Sequence, residues 1–262
     1  MNDLFAMGAE PKIALAIATV PAMADALMED DLLQMMTGAV SVFSSHGVLL
    51  VGGHSAESSE LSIGFAVTGA SPEEPFLKNG MQVGNQLVLT KPIGTGVLLA
   101  GAMQGKTSAR DLMSSIEMMD QSNALAARIL RDHGATACTD VTGFGLLGHL
   151  GEMMRASDRT VVIDALAVPV LAGASDLMVV GIESSLQQNN EQATKDFEVP
   201  EAHTHSPVVR LLADPQTAGG LLASIPRDAS ASCVVSLAQH GYERAHVVGM
   251  VTDELTSRIR VS

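Results

Sequence analysis

The stretch "TDVTGFGLLGHL", residues 139–150, sets one carboxylate ahead of three glycines and an apolar run. Asp140 closes a short strand-like segment, Gly143 and Gly145 allow a tight turn, and a helix is expected over Leu146 to Met154. Such a strand–turn–helix unit is the repeating element of α/β folds, and it points the acid into the crevice beyond the strand's carboxyl end. Glycines there let backbone amides approach a bound oxyanion. A carboxylate in that place is a natural Mg²⁺ ligand, because Mg²⁺ takes one or two protein carboxylates and fills its remaining sites with phosphate oxygens and water. The same spacing also suits an N-cap for the following helix. Spacing alone leaves both readings open.

Outward from this unit the chain keeps alternating. A short helix follows Asn2, a turn spans Gly8 to Pro11, and an apolar run covers Ile13 to Val20. Apolar residues near helical spacing predict a helix from Ala22 to about Ser44. "GVLLVGGHSAESSELSIGFAVTG" reads as two strand-like runs flanking a glycine-polar loop, Gly52 to Ser55. Prolines, charges and weak periodicity mark Ala70 to Gly84 as a domain boundary, giving domains over 1–70 and 71–262. Beyond it come a strand, a glycine turn and a helix in "NQLVLTKPIGTGVLLAGAM", then a helix over Met113 to Arg131. "RTVVIDALAVPVL" reads as one or two strands, and "LLADPQTAGGLLASIP" as a helix end, turn and strand. Glu183 to Pro207, polar and poor in core residues, reads as a mobile loop.

Composition narrows the function classes. Among 262 residues, 15 Lys and Arg face 29 Asp and Glu, and aromatic residues make up 3%. That balance argues against a nucleic-acid footprint. It leaves room for a nucleotide whose phosphates are neutralised by metal. Two cysteines without a CxxC neighbour give no disulfide framework, and no apolar run reaches membrane-spanning length. A cytoplasmic protein with small-molecule partners and no membrane contact is expected.

Other motifs carry less. Asp3 in "NDLFAMGAE" sits at a helix start, where capping is the local reading. Gly52, Gly53, His54 and Ser55 could present bare backbone and a hydroxyl to a nucleotide. "TKPIGTG", residues 90–96, looks like a phosphate loop but lacks the GxxxxGK[ST] spacing. His54, His149, His203 and His205 lack zinc-site spacing, and His149 reads as a half-buried helix residue. Asp214 in "ADPQTAGG" reads as a hydrogen-bond acceptor in a turn. No Ser–His–Asp or Cys–His arrangement is evident, so no catalytic nucleophile is assigned.

Five blocks, "NDLFAMGAEPKIALAI", "GGHSAESSELSIGFAVTG", "LVLTKPIGTGVL", "ACTDVTGFGLLGHL" and "ADPQTAGGLL", resemble in order the selenophosphate synthetase (selenide, water dikinase) family. That family sits in a superfamily with aminoimidazole ribonucleotide synthetase and thiamine-phosphate kinase. The resemblance implies a two-domain α/β (α+β) fold of the aminoimidazole ribonucleotide synthetase type, a homodimer formed through a shared β-barrel, and ATP and Mg²⁺ as ligands. It implies conversion of ATP, selenide and water to selenophosphate, AMP and orthophosphate. Asp3 then matches an acid that binds Mg²⁺ and nucleotide, Asp140 matches a second Mg²⁺-binding acid, and Gly52, Gly53, His54 and Ser55 match a stretch that contacts ATP across the dimer. The acids at 3 and 140 are thus expected to converge on metal-bound phosphates. The family's opening segment, with its reactive Cys or selenocysteine, Lys and further acids, has no counterpart here. The resemblance therefore implies a first domain truncated at its N-terminus and a fragment inactive alone. Two alternatives stand beside it: another ATP-dependent small-molecule kinase or ligase of the superfamily, and a non-catalytic nucleotide-binding or dimerisation module.

Overall fold

The computed structural model describes residues 1–71 and 73–261. The chain forms two compact units, one of Met1, Asp3–Phe5 and Ala9–Glu74, the other of Asn2, Ala6–Gly8 and the chain from Pro75 onward.

After the one-turn helix α1 (Asn2–Ala6), the first unit is built on β1 (Glu10–Pro21), α2 (Asp25–Ser45), β2 (Leu49–Ser58) and β3 (Ser62–Ala70). β1 is the central strand, parallel to β2 and antiparallel to β3. Its pleat alternates in an unusual sense: Ala14, Ala16 and Ala18 are buried, while Ile13, Leu15 and Ile17 are 41–63% exposed. Small side chains let α2 lie close to one face, where Phe43 packs with Ala14 and Val48. The large aliphatics are left on the other face. Gly52 to Ser55 lie inside β2, not in a loop. The glycine pair misleads because Gly53 is there for a close approach: φ is +154°, and a Cβ would stand 2.0 Å from the Ala16 carbonyl oxygen.

The second unit comprises β4 (Gln86–Leu89), α3 (Thr95–Met103), α4 (Ala109–Asp120), α5 (Ala124–Asp132), β5 (Ala137–Asp140), α6 (Gly145–Ser157), β6 (Thr160–Asp164), α7 (Ala174–Val179), α8 (Gln187–Asn190), β7 (Phe197–Glu198), α9 (Pro207–Leu211), β8 (Leu221–Ile225), α10 (Arg227–Gln239), β9 (His246–Thr252) and β10 (Ser257–Arg260). Its seven strands run in the order β5-β8-β4-β9-β6-β10-β7, antiparallel from β5 to β6 and parallel through β10 and β7. The core is aliphatic. Leu146, Leu147, Leu150 and Met153 line one side of α6 and are fully buried, each contributing about 1.5–3 kcal/mol.

Two expectations need correction. The single helix over Met113 to Arg131 is two helices, broken at Gln121–Asn123 because the carbonyls of Gln121 and Ser122 accept from Lys91 and Tyr242. The stretch from Glu183 to Pro207 is not a featureless loop: it holds α8, two 3₁₀ segments (Glu191–Asp196 and Glu201–His203) and β7. No described helix is long and apolar enough to cross a membrane.

Candidate functional site

Asp140 is the last residue of β5, opposite Leu221 of β8, and half-buried. The next residue already leaves the sheet, with the Val141 amide donating to Gly220 O at 2.9 Å. Phe144, not Asp140, is the N-cap of α6, and the N-cap residue makes no side-chain capping bond. The capping alternative for Asp140 therefore fails.

The turn that follows is held from three directions. Gln216 N donates to Thr142 O at 2.9 Å. Asn190 Nδ2 donates to Gly143 O at 2.8 Å. Thr142 Oγ1 lies 3.1 Å from His149 Nε2. His149 is buried, and its Nδ1 is 3.3 Å from Glu152 Oε2, which receives Lys78 Nζ at 2.6 Å. Burial pushes the His149 imidazole below its usual value, although the Glu152 and Asp140 charges pull the other way. The ring is hydrogen-bonded to Thr142 through Nε2, while Nδ1 sits near Glu152 without a hydrogen bond.

Residues 214–220 form the neighbouring wall. A Cβ on Gly219 would come within 2.2 Å of Val141 O, so only glycine allows this loop so near the Asp140 turn. Gln216 Oε1 accepts from Gly94 N at 2.9 Å, Thr95 N at 3.2 Å and Thr95 Oγ1 at 3.1 Å. The Asp214 carboxylate accepts from Gly96 N at 3.1 Å and Gln216 Nε2 at 3.0 Å. The amides of the "GTG" turn are thus engaged by protein groups and are not free to cradle a phosphate. Lys91 is turned inward, 1% exposed, with Nζ donating to the carbonyls of Met118, Gln121 and Ala218.

Asp214 is fully buried, and desolvation raises its carboxyl to about 7, against donation from Gln216, Gly96 and Val97. Between the ordinary value of 3.8 and about 7 the folded chain holds a proton that the unfolded chain has released. Asp214 therefore stabilises most below the lower value, and that contribution is lost as pH rises through the upper one. Urea denaturation at pH 5 and pH 8 should show wild type losing on the order of 2 kcal/mol more than Asp214→Asn over this interval. Equal losses would show that the carboxyl titrates normally.

Neither thiol offers a nucleophile at neutral pH. Both are buried: desolvation, then the Asp140 charge, pushes Cys138 far up, and desolvation raises Cys233 to about 11.

In the first unit, Asp3 lies in the first turn of α1 and lines a cavity of about 790 Å³ with Met35, Phe43, Ile63 and Phe65. Gly52 to Ser55 line a different hollow of about 480 Å³ with Ala16, Leu32 and Met36. These two sets of expected nucleotide residues are not brought to one cavity within the unit. Among the described residues no three His, Cys, Asp or Glu side chains form a metal cage.

The family models named AIR synthase related protein, N-terminal domain and C-terminal domain match residues 1–71 and 82–262. A selenide, water dikinase of Clostridioides difficile (strain 630) is 33% identical over 253 residues, 96% of this chain and 72% of that protein. One of Pelobacter propionicus is 36% identical over 263 residues, covering 100% and 75%. The chain belongs to the selenide, water dikinase family. Solved structures with this fold include thiamine-monophosphate kinase from Stenotrophomonas maltophilia K279a, with a TM-score of 0.74 at 19% identity, covering 98% of this chain and 74% of that one. Hydrogenase maturation protein HypE in complex with ATP gives 0.75 at 17% identity, covering 96% and 68%. The fold of this dikinase-family chain is therefore the two-domain AIR synthase type, mixed α/β. Within it, Lys91, Gln216 and Asn190, which hold the loops around Asp140, carry no local sequence signal beyond a lysine at the end of an apolar strand.

Proposed function

We propose that this chain binds Mg²⁺·ATP and serves ATP-dependent selenophosphate synthesis, in which selenide, ATP and water give selenophosphate, AMP and orthophosphate. The observation that carries the reading is Asp140, half-buried at the end of β5 in a turn whose carbonyls are held by Gln216 and Asn190, in a chain one-third identical to selenide, water dikinases. Asp140 would supply a metal carboxylate in the second unit, and Asp3, in the first, a further acid for Mg²⁺ or nucleotide. Bound Mg²⁺ would offset the triphosphate's negative charge as a phosphoryl group leaves. Asp140 contributes a carboxylate at the end of β5, beside a turn whose carbonyls are held by Gln216 and Asn190, so the chain supplies positioning more than proton transfer. Gly52 to Ser55 offer exposed backbone and a hydroxyl to nucleotide. The ATP-bound HypE neighbour supports nucleotide binding on this fold.

The test is product analysis by ³¹P NMR on this chain with ATP, Mg²⁺ and selenide, and separately with ATP, Mg²⁺ and thiamine monophosphate. Selenophosphate with AMP supports the reading. Transfer from ATP to thiamine monophosphate, giving ADP, would instead assign the other kinase chemistry of the fold. The open face of β1, with Ile13, Leu15 and Ile17 exposed beside Leu49 and Val51, supports a homodimer. Light scattering of Ile17→Lys should then give a monomer where wild type gives a dimer.

A further inference from the structure

We infer that the segment from Glu183 to Pro207 is a strap that fixes the turn bearing Asp140, and that Asn190 is its positioning residue. This rests on the reading that Asp140 holds the metal.

Helix α8 is four residues long, far too short to persist by itself. Its order comes from side chains. Gln187, fully buried, donates from Nε2 to Arg210 O at 2.9 Å and to Glu191 Oε1 at 3.0 Å. Arg210 pairs with Glu191 through Nε at 2.7 Å and with Glu183 through Nη2. Further along, Asp196 meets Arg155 of α6 at 3.3 Å. A polar sequence with few core residues is thus pinned at several points.

Those anchors deliver Asn190 to a particular place. The side chain is 9% exposed, and its Nδ2 donates to Gly143 O at 2.8 Å and to Ala213 O at 3.1 Å. One amide group joins the turn after Asp140 to the chain entering Asp214. Both hydrogens of that group are used. Fixing the Gly143 carbonyl fixes a peptide plane three residues from Asp140, in a turn where glycine would otherwise allow wide motion. Without the donor, two partly buried carbonyls lose a partner and the carboxylate loses its support. Loss of a partner bonded to a ligand itself typically weakens metal binding about 10–100-fold; Asn190 acts one step further out, through the Gly143 carbonyl, so the lower end of that range is expected.

The probe is Mn²⁺ with ATP, its affinity read by EPR and the turn read by hydrogen–deuterium exchange, on wild type, Asp140→Asn, Asn190→Leu and Glu191→Gln. Asn190→Leu keeps the shape and removes the donor; it should weaken Mn²⁺ binding about 10-fold and speed exchange over residues 141–147 while β9 stays protected. Glu191→Gln cuts a half-exposed anchor and should cost about two- to five-fold. If Asn190→Leu binds Mn²⁺ like wild type while Asp140→Asn does not, the strap has no role at the metal. If Asp140→Asn binds like wild type, the metal reading falls, and unchanged exchange over 141–147 would separately overturn the strap. Should Asn190→Leu lose protection throughout the chain, Glu191→Gln decides: local loosening supports the strap, and wild-type exchange overturns it.

Discussion

Lys91→Met should lower the melting temperature by about 5–10 °C. Two effects oppose each other. Burial lowers the ammonium from 10.5 to about 8, against the nearby Asp120 charge, so keeping it ionised costs about 3 kcal/mol, which methionine would recover. Against this, the carbonyls of Met118, Gln121 and Ala218 lose their donor in a buried place. Each orphaned group costs about 1–3 kcal/mol. The three together cost about 3–9 kcal/mol and at the middle of that range outweigh the recovered desolvation by about 2.5 kcal/mol; for a unit of this size 1 kcal/mol corresponds to about 2–4 °C. Calorimetry on the two proteins at pH 7 checks this. A melting temperature equal to or above wild type would mean that water reaches these carbonyls and that the lysine is dispensable.

The same lysine shows where sequence reading stops. Its partners stand 27, 30 and 127 residues away, so nothing within "TKPIGTG" distinguishes an inward clamp from an outward phosphate ligand. The unit around Asp140 was legible because its signals are local: a short apolar strand, a glycine-spaced turn and the apolar face of α6. The long helix α2 was legible by periodicity for the same reason. Gly52 and Gly53 misread as a loop because their cause is the neighbouring strand β1, pressed against Gly53. Asn190 was hidden most completely. Polar side chains in a run short of apolar residues look like solvent-exposed loop until the carbonyls of Gly143 and Ala213 are placed beside them. Hydrophobic pattern locates elements, whereas long-range polar pairing, which carries no period, decides how the loops of the site are held.

The proposed division of labour between the acids makes a stronger demand. Asp140→Asn and Asp3→Asn should each weaken Mg²⁺-dependent ATP binding, measured by titration calorimetry, by about 100-fold, or about 3 kcal/mol. Each substitution keeps the shape and removes the charge that attracts the metal. Neither should disturb folding greatly, since Asp3 is exposed in the first turn of α1 and Asp140 is half-buried at a strand end without capping α6. The decisive measurement is the double variant. If both carboxylates serve the same metal-bound triphosphate, the second substitution removes a ligand from a site already failed, and the two losses fall short of adding. If the acids act at separate places, the losses add fully, and a combined deficit near 10,000-fold would rule out a shared cluster. Titration without Mg²⁺ supplies the internal control: with no metal between them, carboxylate and triphosphate repel, so each substitution should leave metal-free binding unchanged or stronger, never weaker.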